Sequence, residues 1–224
     1  MNNLFSPGDQ QLRNKTNAFE EKLLQNPQVK AVTLASNLPG MGNARHPVAT
    51  DKIRIEDGVV LPAVSVDYDF IKAFDLKIVA GRDFDKAYGT DHIEGFIINE
   101  QAVKALNFGT PNRAIGQNIQ RGGKKGKVVG VVNDFHTESL RTGLTPLLME
   151  VSPGTFSQFA VKITGQNTPE TLAFIEKTWQ EFFPEKVFEH RFLDESIADT
   201  YQEESRFASL IGLFEIGRAS CRER

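Results

Sequence analysis

Cysteine is almost missing: the 224 residues contain one, Cys221. It lies in the last ten residues, EIGRASCRER, whose character breaks abruptly from the apolar run Leu210 to Phe214. We read 215–224 as a tail of vector origin and leave it out of the fold. The rest has no cysteine, which excludes a disulfide framework, a thiolate nucleophile and a cysteine metal site, and leaves the compartment open. Tryptophan is nearly absent too, with Trp179 alone, expected in the core. No run of about 18 apolar residues occurs, so nothing spans a membrane as written. The opening MNNLFSPGDQ has neither the charged nor the apolar region of a signal peptide, so any export signal is expected outside these residues. There is no basic excess: the net charge is −3 and the pI about 5.9. Nucleic acid is therefore not an expected partner. Short fixed repeats and low-complexity tracts are also lacking.

What is present is an ordinary globular composition, 40% hydrophobic and 25% charged, with 17 Phe for a Phe-rich core. The length suffices for one large domain or two small ones. Pro7 to Asn26 reads as a helix with Asp9 as N-cap, with Leu12, Phe19, Leu23 and Leu24 near one face, ended by Pro27. Val29 to Ala35 reads as a strand, with Val29, Ala31 and Thr33 on one face and Val32 and Leu34 on the other. A Gly/Pro loop, Leu38 to Gly42, follows. His46 to Pro62 reads as a polar hairpin in which Ile53 and Ile55 alternate with Arg54 and Glu56 before the turn Asp57-Gly58. Val59 to Val66 is the return strand, and Asp67 is expected to cap a helix, Tyr68 to Phe74. Gly81 to Gly95, rich in Asp and Gly, reads as an exposed loop.

The central stretch is Gly126 to Leu148. Val128, Val129, Val131 and Val132 are apolar on both faces, as in a strand buried on both sides, with Gly130 where another backbone comes close. The strand ends at Asn133-Asp134. Phe96 to Asn99 is a short strand whose last residue caps the helix Glu100 to Leu106. Ala114 to Ile119 is a turn and strand, joined to Val128 through a flexible Arg121 to Gly126 loop. Thr145-Pro146 opens the apolar run Leu147 to Val151, and Phe159 to Ile163 is a further strand. Thr168-Pro169 starts a helix to about Phe183 with Leu172, Ile175, Trp179 and Phe182 on one face and Thr168 as cap. Val187 to Phe192 reads as a strand, and Asp194 caps a last helix, Glu195 to Phe214. That helix grows continuously apolar from Ala208, which fits either the mouth of a trimmed membrane span or a C-terminal helix packed on the domain.

This ordered set resembles the extracytoplasmic domain of MacB/FtsX-type ABC transporter permeases. The resemblance is carried by Asn99-Glu100 and its helix, by Ala114-Ile115-Gly116, by Val129-Gly130-Val131-Val132 with Asp134-Phe135-His136, and by Pro146. Upstream, Val66 to Phe70 and Ala80 to Phe84 are similar to the family's middle segment. The resemblance covers about Val29 to Phe214 and implies an α/β (α+β) fold, a porter-like mixed sheet with helices on one face and an inserted strand-rich lobe. The porter-like lobe is expected over about 8–45 and 155–214, and the insert over about 46–154. Two helix–strand pieces, 9–26 with 29–35 and 169–183 with 187–193, would flank the insert.

The resemblance further implies no enzyme, and no cofactor or metal is expected. It implies a domain on the extracytoplasmic face, between two membrane spans, relaying movement driven by ATP hydrolysis on a cytoplasmic ATPase subunit. Efflux is the transport that the family name suggests. Expected partners are a second permease copy, and a periplasmic adaptor or lipoprotein or a cell-wall hydrolase that the domain would recruit. The domain alone is expected to be monomeric or weakly dimeric.

The residues also offer chemistry that must be weighed. Asp134 and His136 could form an acid–base pair in a soluble α/β enzyme. No Gly-x-Ser-x-Gly elbow and no nearby cysteine accompany them, and the plainer reading is a turn-capping Asp134, a core Phe135 and a half-exposed His136. His46, His92, His136 and His190 are too scattered to suggest a metal site. Arg121 to Lys127 is Gly-rich and basic, but it connects strand to strand and reads as a solvated hairpin tip rather than a phosphate cradle. Asp83, Asp85, Asp91 and Glu94 lack calcium-loop spacing and read as a solvated acidic loop.

Overall fold

A computed structural model describes residues 10–137 and 143–193. The cap at Asp9, the last helix over 195–214 and the tail 215–224 lie outside them. In chain order the elements are α1 (Gln10–Leu24), β1 (Val29–Ala35), β2 (Arg45–Thr50), β3 (Val59–Val66), α2 (Phe70–Ala73), β4 (Ile78–Gly81), α3 (Asp91–Glu94) and β5 (Gly95–Asn99). Then come α4 (Glu100–Ala105), α5 (Pro111–Ala114), β6 (Asn118–Arg121), β7 (Lys124–Val132), β8 (Leu148–Val151), β9 (Gln158–Ile163) and α6 (Thr168–Phe182).

The nine strands among the described residues form one mixed sheet, ordered β2-β6-β7-β5-β8-β3-β1-β9, with β4 added along β7. β2 also pairs with β3, so β2, β6, β7, β5, β8 and β3 close into a six-stranded ring. The ring encloses a core of Val48, Leu61, Phe96, Ile98, Ile119, Val128 and Leu148, one or two from each strand. Its outside carries a second core, where Val66, Ile97, Val132, Met149 and Val151 pack with Phe70 and Ile71 of α2 and with Phe84. Strands such as β5 and β8, buried on both faces, are therefore mainly apolar rather than alternating, with Asn99 and Glu150 as their polar residues.

From the ring, β1 and β9 extend the sheet as an antiparallel pair. α1 and α6 lie on this extension over a third core, with Phe19 ringed edge-on by Phe159, Trp179, Phe182 and Phe183 at 5.2–5.7 Å. Such edge-to-face pairs stabilise beyond the area they bury. A bulge in β1 between Val29 and Ala31 resets the alternation and brings Val29 and Val32 to the same core.

Gly130 sits where the sequence places a close backbone approach. A Cβ there would lie 2.1 Å from the carbonyl oxygen of Arg82. Gly130→Ala is expected to cost about 2 kcal/mol or more in urea unfolding. Gly123→Ala, with open space around the new methyl, is expected to cost far less.

Several local expectations fail for identifiable reasons. Ile53 to Glu56 lie in the connection after β2, where Thr50 exchanges backbone bonds with Ile53, and are not a strand. Arg121 to Gly126 is no flexible loop but a tight hairpin, with Arg121 paired to Lys124 across Gly122-Gly123. Asp67 is not the N-cap of α2; that position is Asp69, while the Asp67 carboxylate accepts from the Thr33 hydroxyl, the Leu34 N–H (2.7 Å) and the Asp69 N–H (3.1 Å). Asn167, in a left-handed conformation, is the N-cap of α6, and Thr168 is its first residue. The buried positions of α6 are Thr171, Ile175 and Thr178; of the expected face, Ile175, Trp179 and Phe182 pack on the third core, the last two half-buried, and Leu172 is not among its residues.

Residues 187–192 form no strand. Phe188 instead packs on Trp179, whose indole N–H donates to the Lys186 carbonyl at 3.1 Å. The strand partner of α6 is β9, which precedes it, so the expected second helix–strand piece has the opposite order. The 81–95 segment is not simply solvated. Arg82 grips the buried Asp91 through two 2.7 Å bonds, and Asp85 N–H joins the same carboxylate. Burial raises the Asp91 carboxyl, and the Arg82 guanidinium and Asp85 N–H more than reverse this, leaving it below the ordinary value.

Two carboxyl groups, Glu20 and Asp67, have the opposite balance. Burial, followed by the charges of Asp67 and Asp69, lifts Glu20 on α1 from 4.5 to about 7. Burial lifts Asp67 from 3.8 to about 6 against its hydrogen bonds. Both folded values exceed the unfolded ones, so the native state holds more protons. The stability these groups contribute is full below about pH 4 and is lost as the pH rises through 6 and 7. Glu20→Gln is therefore expected to raise the melting temperature at pH 8 and to leave it nearly unchanged at pH 4.

Candidate functional site

The residues singled out from sequence fall into a polar knot where β5 and β7 end and β8 begins. Asn99 is fully buried at the C-terminal end of β5. Its Oδ1 accepts from Ala102 N–H at 3.0 Å, capping α4, and from Leu147 N–H at 2.8 Å; its Nδ2 donates to the Thr145 carbonyl at 2.8 Å. One side chain thus joins strand, helix and the 145–147 segment, with half-buried Pro146 between the two attachment points.

Asp134 lies across from the helix start. Its carboxylate accepts from the backbone N–H (2.9 Å) and the side-chain amide (2.8 Å) of Gln101, while its own N–H donates to Glu100 Oε2 at 3.3 Å. A carboxylate on the first turn of a helix satisfies an open donor there. Phe135 packs on the outer core of the ring, and His136 is exposed rather than half-buried. Gly116 stands apart from the knot, at φ 78°, with its N–H bonded to the Val128 carbonyl at 2.8 Å. Gly130 is within β7, several residues before the knot.

These groups fasten backbone; they do not converge on an open space. The Asp134 carboxylate is engaged by Gln101, and a turn-capping role suits it better than acid–base work with His136. Among the described residues, no cluster of three or more His, Cys, Asp or Glu could hold a metal ion. No described helix is long and apolar enough to cross a membrane.

Sequence reasoning missed a cleft of about 410 Å³ at one mouth of the ring. Its walls include His46 of β2, His92 of α3, Arg121 of β6, Lys124 of β7 and Glu150 of β8. Glu150, 4% exposed, is paired with Arg121 and has Lys124 Nζ 3.6 Å from Oε2. Lys124 also lies 4.9 Å above the Phe96 ring and donates to the His92 carbonyl, so it is no solvated tip. Burial, then the Arg121 charge, holds His46 below the ordinary imidazole value. These side chains come from positions 46 to 150 and meet only because the ring closes.

Comparison of this architecture with solved structures gives a set of similar domains, including the following two. One is the periplasmic region of MacB from Actinobacillus actinomycetemcomitans, at TM-score 0.53 and 13% identity, covering 74% of this chain and 72% of that one. The other is the extracellular domain of the noncanonic ABC-type transporter YknZ from Gram-positive bacteria, at TM-score 0.54 and 15% identity, covering 79% and 90%. At such identities the likeness is one of fold. A comparison with curated proteins finds no match. The family model for the MacB-like periplasmic core domain matches residues 3–178. The chain belongs to the MacB-like periplasmic core domain family.

Proposed function

We propose that this chain is the extracytoplasmic domain of an ABC transporter permease and works as a mechanical relay, not as an enzyme. The observation that carries the reading is the family match over 3–178. Its support from the fold is that the β1–β9 extension, on which α1 and α6 lie, joins the closed ring in one sheet through β1 and β3, a path by which displacement of either helix would reach the ring. The porter-like lobe, 8–45 with 155–214, receives movement from the membrane spans, and the insert, 46–154, carries it outward. ATP hydrolysis on a cytoplasmic subunit selects between two arrangements of paired permease copies, and a periplasmic adaptor or lipoprotein meets the outer lobe. Differential contacts between two states perform such work, with no reactive side chain required.

The test is the gene on either side of these residues. Apolar spans of about 20 residues are expected just before residue 1 and just after Phe214. Soluble sequence on both flanks would overturn the permease reading. The enzyme alternative has its own check. His136→Ala is expected to move stability by no more than about 0.5 kcal/mol, as exposed substitutions do, and to abolish no turnover.

A further inference from the structure

The cleft at the ring mouth has more cationic than anionic capacity. Arg121 and Lys124 share one carboxylate, that of Glu150, and both are largely withdrawn from water, with side chains 20% and 17% exposed. Among the described residues Arg121 donates one side-chain hydrogen bond, from Nη1 to Glu150, and its buried Nε finds no partner. The buried Oε2 of Glu150 accepts no close hydrogen bond, Lys124 Nζ standing 3.6 Å away. Buried polar atoms are satisfied in nearly all native structures, by protein, water or ligand. Here an unfilled donor, Arg121 Nε, and an acceptor held only by a long ion pair, Glu150 Oε2, lie on neighbouring side chains at the wall of one cleft. A barrel mouth lined by a few convergent polar groups is a usual place for a small-molecule site.

We propose that this mouth binds a small oxyanion that carries its own hydrogen-bond donor: a hydrogen phosphate group, or a carboxylate with an adjacent N–H such as a peptide C-terminus. Arg121 and Lys124 hold the anionic oxygens through charge-assisted bonds. Glu150 Oε2 accepts from the donor, which selects against an oxyanion with none. His46 and His92 face the ligand from the rim. No covalent step is involved, and the proposal does not depend on the transporter reading.

The experiment titrates the chain with inorganic phosphate, sulfate, N-acetylglycine and acetate near pH 7 and follows the four histidine imidazoles by NMR. The expected result is saturable movement of His46 and His92, and not of His136 or His190, with phosphate ahead of sulfate or N-acetylglycine ahead of acetate. Which of these pairs separates identifies the phosphoryl or the carboxylate source. Arg121→Gln is expected to weaken binding on the order of tenfold. Lys125→Gln, which removes the same charge from an exposed neighbouring position on β7, should leave it unchanged. The titration of the unaltered chain decides the matter even if Arg121→Gln does not fold. Equal, unsaturable shifts at all four histidines, or equal weakening by both variants, would overturn the proposal.

Discussion

Asn99→Ala is expected to destabilise the domain by about 3 kcal/mol or more, because it leaves two buried N–H groups and one buried carbonyl without partners. The groups are those of Ala102, Leu147 and Thr145. Loss of an N-cap alone costs about 1 kcal/mol. The excess over that figure measures the second task of Asn99, which is to pin residues 145–147 against the end of β5. Urea unfolding supplies the number. A loss near 1 kcal/mol would mean that the 145–147 attachment contributes nothing and that the knot is only a helix cap. Hydrogen exchange at Leu147 provides a local check, since its amide loses its partner in the variant and should exchange faster.

Glu150→Gln is expected to cost about 3 kcal/mol, near the lower end of what breaking a buried ion pair costs. The substitution keeps shape and removes the only carboxylate that Arg121 and Lys124 share in the cleft. The residual exposure of the two cations softens the penalty relative to full burial. A companion variant isolates the cause. Arg121→Met, Lys124→Met and Glu150→Leu together remove all three charges, and such apolar replacements of buried ionic clusters are often neutral or stabilising. The triple variant should therefore recover most of the stability that the single one loses. If Glu150→Gln is silent, the ring mouth is well hydrated and the cluster has no structural part.

The knot and the cleft differ in how far a linear reading reaches them. Asn99 is visible because a cap and the helix it starts are adjacent in sequence. Gly130 is visible because a glycine that interrupts a valine run marks a place with no room for a side chain. The apolar runs that become β5, β7 and β8 declare their two-sided burial directly. Ring closure leaves no such mark. It depends on β2 pairing with both β3 and β6, and the second of these joins Val48 to Arg121. Only that closure brings His46 near Arg121 and Glu150, so histidines that look scattered in sequence share a wall. The charged 81–95 segment looks solvated in sequence because a count of charges says nothing of pairing, and the grip of Arg82 on Asp91 reverses the conclusion. Residues 187–192 have the alternation of a strand without a neighbour to pair with, and Phe188 settles on α6 instead. Asp67 looks like a local cap in the linear chain, yet its partners Thr33 and Leu34 belong to a strand more than thirty positions earlier.

The family assignment and the relay proposal meet in one measurement. Lys125 is exposed on β7, and the domain has no cysteine outside 215–224, so Lys125→Cys places a single clean attachment point on the closed ring of this domain. With spin labels there in the whole permease, assembled with its ATPase subunit in lipid, the distance between labels on the two copies is read without nucleotide and with ATP trapped by vanadate. A relay predicts two distance distributions that interconvert with nucleotide state. A single distribution, identical in both states, in a preparation that hydrolyses ATP, would contradict it.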